Sequence, residues 1–153
     1  MWKLLQRFRN LDADAQSLFV RGFLLLPLIA ASVRLCGFRR TRVILELFLS
    51  APSNARPAFK GAAEGVSRTV RMTSAAARYG PMRSACLEKS LALWWLLGRQ
   101  GIASNVRIGT RKSAPRLEAH AWVEWNGAAL NEVDDPRDHY AAFDAAFPVL
   151  SRK

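Results

Sequence analysis

From Leu117 to Trp125 the chain alternates without interruption, and Asn126-Gly127 follows at once. Leu117, Ala119, Ala121, Val123 and Trp125 fall on one side of an extended segment. Glu118, His120, Trp122 and Glu124 fall on the other. Strict alternation marks a half-buried strand, and Asn-Gly is a strong hairpin turn signal. This stretch commits the chain to an antiparallel hairpin, with Ala128 to Val133 returning as the partner strand. "NVRIGT", starting at Asn105, alternates in the same way, with Val106 and Ile108 on one face. "RKSAPR", between the two, reads as a basic loop.

Everything before Asn105 reads as helix and connection. Asp12 or Asp14 caps a helix that runs to about Leu35 and stops at Gly37, with Pro27 expected to kink it. A second helix, from about Arg40 to Leu49, carries Val43, Ile44, Leu47 and Phe48. Ser50 to Pro57 is a loop by composition, and a third helix spans about Ala58 to Tyr79. The fourth lies between Gly80 and Gly101, capped by Gly80 or Ser84, with Pro81 in a favourable first-turn position. Leu87, Leu91, Trp94, Trp95 and Leu97 form its apolar face, and Glu88 and Lys89 its solvated one. The tail from Asp134 is polar, then helical through "HYAAFDAAF". The fold class is α+β in one domain, residues 1–153. Residues 1–80 form a helical region, and 81–153 a helix on a small antiparallel sheet.

A chain of 153 residues buries roughly 68–70% of its unfolded surface and needs no covalent staples. Its two cysteines, Cys36 and Cys86, fit a reduced, cytoplasmic protein better than a disulfide scaffold. The start, "MWKLLQRFRNLDADAQ", lacks the apolar core and cleavage site of a secretion signal. The run Gly22 to Val33, bracketed by Arg21 and Arg34, is shorter than the roughly 20 residues a spanning helix needs. It reads as a core or partner-facing helix, with peripheral membrane contact as the lesser reading. Twenty-three Lys and Arg against 12 Asp and Glu give a net charge of +11, which favours an acidic partner. The basic cluster Phe38 to Arg42 has no nucleic-acid-reading module beside it and reads as a solvated face. Two His and two Cys make no zinc spacing, and no glycine-rich phosphate loop is present, so no metal or cofactor is expected.

The chemistry-bearing candidates are Cys86, near the start of the fourth helix, and His120, on the hairpin. A thiol attacks only as the thiolate, and both a helix N-terminus and a neighbouring imidazole stabilise that anion. The base in turn needs an acceptor to orient its far nitrogen. A two-residue turn at Asn126-Gly127 pairs His120 with Val133 and puts Asn131 on its face. A three-residue turn with a glycine bulge places Glu132 opposite His120 and Asp134 diagonal to it. Glu132, Asp134 and Asn131 are therefore all candidates. Against the catalytic reading stands the ordinary one, since free cysteines and strand histidines are more often structural. Cys36 reads as core and His139 as surface. Trp94, Trp95, Trp122 and Trp125 read mostly as core.

"CLEKSLALWWLLGRQGIASNVRIGTRK" followed by "EAHAWVEWNGAALNE" resembles the leader peptidase of lasso-peptide biosynthesis, a transglutaminase-like cysteine protease. The carrying elements are Cys-Leu opening a helix, "RQGI" at its end, "VRIG" on the next strand and "HAWVEWNG" on the hairpin. They cover about Ser84 to Asp135. The helical first half is similar to the free-standing form of that peptidase. The resemblance implies a transglutaminase- or papain-like core and a Cys-His-acid triad with Cys86 and His120. The family's Asn-Asp reads Asn131-Glu132 here, which favours Glu132 through the bulged turn, with Asp134 as the competitor. The implied partners are a precursor peptide, a separate leader-recognition protein and an ATP-dependent lasso cyclase. The rival readings are an acyltransferase of the same fold and a non-catalytic basic module that binds a peptide or membrane.

Overall fold

The computed structural model describes residues 8–49, 61–80, 85–113, 116–132 and 134–142. The expected loop at Ser50 to Pro57, the first-turn Pro81, the cap candidate Ser84, Val133 and the tail beyond Ala142 lie outside these residues. Among the described residues the long helices come first: α1 (Ala13–Leu49), α2 (Ala62–Tyr79) and α3 (Cys86–Arg99). A four-stranded sheet follows, with β1 (Asn105–Ser113), β2 (Arg116–Trp125), β3 (Ala128–Ala129) and β4 (Ala141–Ala142), in the order β3-β2-β1-β4. The fold is α+β, as the sequence pattern implies.

Asp12 caps α1, its Oδ1 accepting from the Ala15 N–H at 3.0 Å. Pro27 does not interrupt the helix; the break lies at Gly37, where φ is 79° and ψ is 166°. That conformation is essentially reserved for glycine. Ser32 Oγ and Thr41 Oγ1 meet at 2.9 Å across the break. In a straight helix a nine-residue separation spans about 13.5 Å, so the chain doubles back sharply here. The second arm then lies along the C-terminal half of α3. Trp95 Nε1 donates to the Leu45 carbonyl at 3.2 Å, and Arg99 to the Phe48 carbonyl at 3.3 Å.

Helix α3 is the centre of the core. Leu91, Ala92, Leu93, Trp94, Leu96 and Leu97 are all buried, so it has no solvated face along this stretch. Leu26, Ile29 and Leu45 of α1, Val66 and Ala76 of α2, and Val106 and Val123 of the sheet complete the cluster. Gly22 of α1 lets the helices close up, since a Cβ there would sit 3.1 Å from that of Ala76. Cys36, expected in the core, is exposed, because it stands at the turn into Gly37 and not on the packed face.

In the sheet, β1 and β2 pair antiparallel from Asn105↔Glu124 to Ser113↔Arg116. The segment read as a basic loop is thus mostly strand, because the β1–β2 ladder continues through "RKS". The segment after Asp134 is not helical as far as it is described. Asp135 caps a 3₁₀ turn, Pro136–Asp138, and Ala141 then pairs with Thr110 on β1.

Replacing Gly37 by Ala should cost about 1–3 kcal/mol of stability, since no atom lies within 4 Å of the added Cβ and the penalty is purely conformational. Urea unfolding of Gly37→Ala against wild type measures it. An unchanged midpoint would mean that the break is not held at this glycine.

Candidate functional site

The hairpin turn is tight. Trp125 pairs with Ala128 and Glu124 with Ala129, so the loop is Asn126-Gly127 alone. Both residues have positive φ, 49° and 80°, as a type I′ turn requires. The bulged turn expected from the motif is therefore wrong. The return strand is also shorter than expected and stops at Ala129. Leu130 makes one last ladder bond, donating to the Val123 carbonyl at 2.9 Å. The chain then bends away at Asn131.

This early departure leaves the edge of β2 unpaired where it carries His120. Side chains replace the missing strand. Asn131 Oδ1 accepts from the Val123 N–H at 2.9 Å, and Ser90 Oγ donates to the Ala121 carbonyl at 2.9 Å. Asn131 Nδ2 lies 3.4 Å from Ser90 Oγ and 3.3 Å from Glu132 Oε1. Glu132 Oε1 in turn lies 2.8 Å from His120 Nε2. Glu132 thus reaches His120 from a bend and not across a ladder. Asn131, which a two-residue turn would aim at the His120 face, is held on the strand edge. Asp134 is exposed.

Cys86 is the first residue of α3 and is half-buried. Its N-cap is Ala85, which has no side-chain acceptor. Glu88 supplies half a capping box by accepting the Ala85 N–H at 2.7 Å. Glu88 is consequently 6% exposed and does not belong to a solvated face. Ser90 lies four residues after Cys86, on the same side of the helix. Its bond to Ala121 sets that side of α3, one turn below the thiol, against the β2 edge next to His120.

The imidazole also stacks with two aromatic rings. Tyr140 lies 5.1 Å from it and Trp122 6.2 Å, both nearly parallel to it. Trp122 is fully buried, and its Nε1 donates to Glu124 Oε1 at 3.2 Å. Glu124 also takes Arg107 Nε at 2.9 Å from β1. Gly109, opposite His120 on β1, makes the close packing possible. A Cβ there would fall 2.9 Å from Trp122 and 3.0 Å from Tyr140. Asp135 secures the turn that delivers Tyr140, and Arg137 hydrogen-bonded to it holds its carboxyl down at about 2. His139 is exposed, as expected.

Sequence reasoning missed Tyr140, Ser90 and the cap made by Glu88. The Glu88 cap was open to detection, because a Glu three residues after a helix start is a capping signal. Tyr140 and Ser90 act through contacts distant in sequence, which no local pattern records. Among the described residues no group of His, Cys, Asp and Glu is arranged to hold a metal.

Asn131→Ala should lower stability by about 1–3 kcal/mol, because it strands the Val123 N–H on an edge with no other acceptor. Urea unfolding of Asn131→Ala against wild type tests this. An Asn131→Ala midpoint equal to wild type would show that water replaces the amide without cost.

A family model described as "Transglutaminase-like superfamily" matches residues 25–144. No curated protein and no solved structure matches the chain.

Proposed function

Because the chain belongs to the transglutaminase-like superfamily, which includes cysteine proteases and acyltransferases, we propose that it is a cysteine peptidase with Cys86, His120 and Glu132 in the catalytic roles. The supporting observation is the 2.8 Å contact between Glu132 Oε1 and His120 Nε2. It engages one ring nitrogen and leaves Nδ1 as the one to serve a thiol. Cys86 Sγ attacks the scissile carbonyl as its proton passes to His120 Nδ1. The imidazolium that forms is held by Glu132, as an orienting acid holds a triad histidine. The Cys86 backbone N–H, at the positive end of α3, faces the developing oxyanion. His120 then protonates the leaving amine, and a thioester remains on Cys86. Water, deprotonated by His120, hydrolyses the thioester and regenerates the thiol.

The substrate that fits the motif resemblance is the precursor of a ribosomally made lasso peptide, cut between leader and core. A separate leader-recognition protein would present it, and an ATP-dependent cyclase would take the freed core. Hydrolysis itself needs no ATP. An excess of positive charge, +11, suits an acidic peptide partner.

Mass spectrometry of precursor incubated with the chain and the recognition protein tests the reading. Wild type should release leader and core, and Cys86→Ala should release neither while keeping its circular dichroism. Cys36→Ala should match wild type. Glu132→Gln should slow cleavage by up to about 10⁴-fold, the order seen when a triad acid is neutralised, while Asp134→Asn stays near wild type. Cleavage by folded Cys86→Ala would remove the nucleophile assignment. An intact leader joined to an added amine would move the reading to acyl transfer.

Omitting the recognition protein should lower the cleavage rate by roughly 10²-fold or more, since tethering replaces bulk concentration by a local one. Equal rates with and without it would mean that the chain reads the leader unaided.

A further inference from the structure

Helix α1 is long and apolar enough to cross a bilayer by length and composition, yet only 28% of its most apolar window is buried. One face is committed to the core through Leu18, Gly22, Leu26, Ile29 and Ala30. The opposite face carries Val20, Leu24, Leu28 and Leu35, which are 44%, 59%, 67% and 85% exposed. At 100° per residue these four fall within an arc of about 80°, one continuous stripe. Arg21 lies just beyond one border of that arc and Arg34 just beyond the other. Past the break at Gly37, the second arm exposes Val43, Ile44, Leu47 and Phe48 beside Arg39 and Arg40.

The placement of charge beside the stripe favours a lipid surface as its occupant. Arg42, Arg68, Arg107, Arg111 and Arg137 all pair with carboxylates. Among the described residues, Arg21, Arg34, Arg39 and Arg40 make no ion pair, and neither do Arg9, Arg71, Arg78 and Arg99 elsewhere; Arg21 and Arg34 are set apart by their place at the two borders of the stripe. Unpaired guanidinium groups along both borders of a leucine stripe match a sheet of anionic headgroups over hydrocarbon, with the cations reaching up to the phosphates. A spanning orientation is excluded, because the core face of α1 would have to be stripped from α2 and α3.

We propose that α1 seats the protein peripherally on an anionic phospholipid surface. The Val20–Leu35 stripe enters the headgroup–acyl boundary, and Arg21 and Arg34 at its borders bind lipid phosphates. This does not rest on the peptidase reading.

The test is flotation of the full chain with vesicles of phosphatidylglycerol and phosphatidylcholine, against vesicles of phosphatidylcholine alone. The protein should float with the anionic vesicles, less so at high salt, and leave them on an alkaline carbonate wash. Combined Leu24→Ser, Leu28→Ser and Leu35→Ser should reduce partitioning by at least about 10-fold, with circular dichroism unchanged. Arg21→Gln with Arg34→Gln should reduce it by roughly 10-fold, following the few-fold weight of each basic residue near such a surface. No flotation, or flotation untouched by the three serines, would overturn the proposal. So would retention after carbonate, or a lipid-free dimer that the three serines dissolve, because the stripe would then span a bilayer or meet a second copy.

Discussion

The structure around His120 depends on an edge that β3 abandons. Among the described residues, Ala128 and Ala129 and one further bond from the Leu130 N–H are all the strand pairing that β2 has on that side. An uncovered strand edge holding buried backbone groups is costly unless each group finds a partner. Asn131 and Ser90 supply those partners, one from the departing chain and one from α3. The same two side chains thereby lock the helix that begins with Cys86 to the strand that carries His120. They also set where Glu132 emerges. Had the ladder run on to Val133, the edge would be closed, and neither the helix nor the carboxylate could approach it.

The parts legible in the sequence were those that local pattern dictates. Alternation announced β1 and β2, and Asn-Gly announced the turn. Asp12 and Gly37 announced the start and the break of α1. What failed was the extrapolation of local pattern into register. The sequence after Gly127 offers no signal that pairing ends at Ala129, because the cause is a competition. Asn131's amide outbids the Leu130 carbonyl for the Val123 N–H, and that depends on Ser90, far away in sequence. Glu132 was a candidate neighbour of His120 through a bulged turn, whereas it meets His120 from a bend after a two-residue turn. Cys36 and Glu88 failed for a related reason. An apolar neighbourhood in sequence put Cys36 inside, and a charge put Glu88 outside, whereas a sharp turn and a missing N-cap side chain decide the two cases.

The surroundings of His120 show a second constraint, which is steric. Trp122 and Tyr140, the two rings stacked with His120, both press on β1, and only a residue without a side chain can lie beneath them. Gly109 is that residue. Trp122 is anchored by Glu124, itself held by Arg107 across the strands. The imidazole therefore has its ring plane set by packing and its Nε2 set by Glu132. Two independent restraints on one side chain give it a defined orientation although β2 is laddered there on its β1 side alone.

Helix α3 also separates what its two ends do. Cys86 opens it, while Trp95, Gly98 and Arg99 near its close touch Leu45, Leu49 and Phe48 of α1. Fourteen residues at 1.5 Å each put these ends roughly 20 Å apart. The first arm of α1 also meets α3 towards that far end, through Gly22 and Leu96. The exposed leucines are thus carried by elements anchored to the half of α3 remote from the thiol. Burial of the central stretch from Ser90 to Leu97, with Trp95 partly covered, makes α3 a firm spacer between the two. A surface that held α1 would leave the N-terminal end of α3, and the open edge of β2 beside it, free for a peptide to approach.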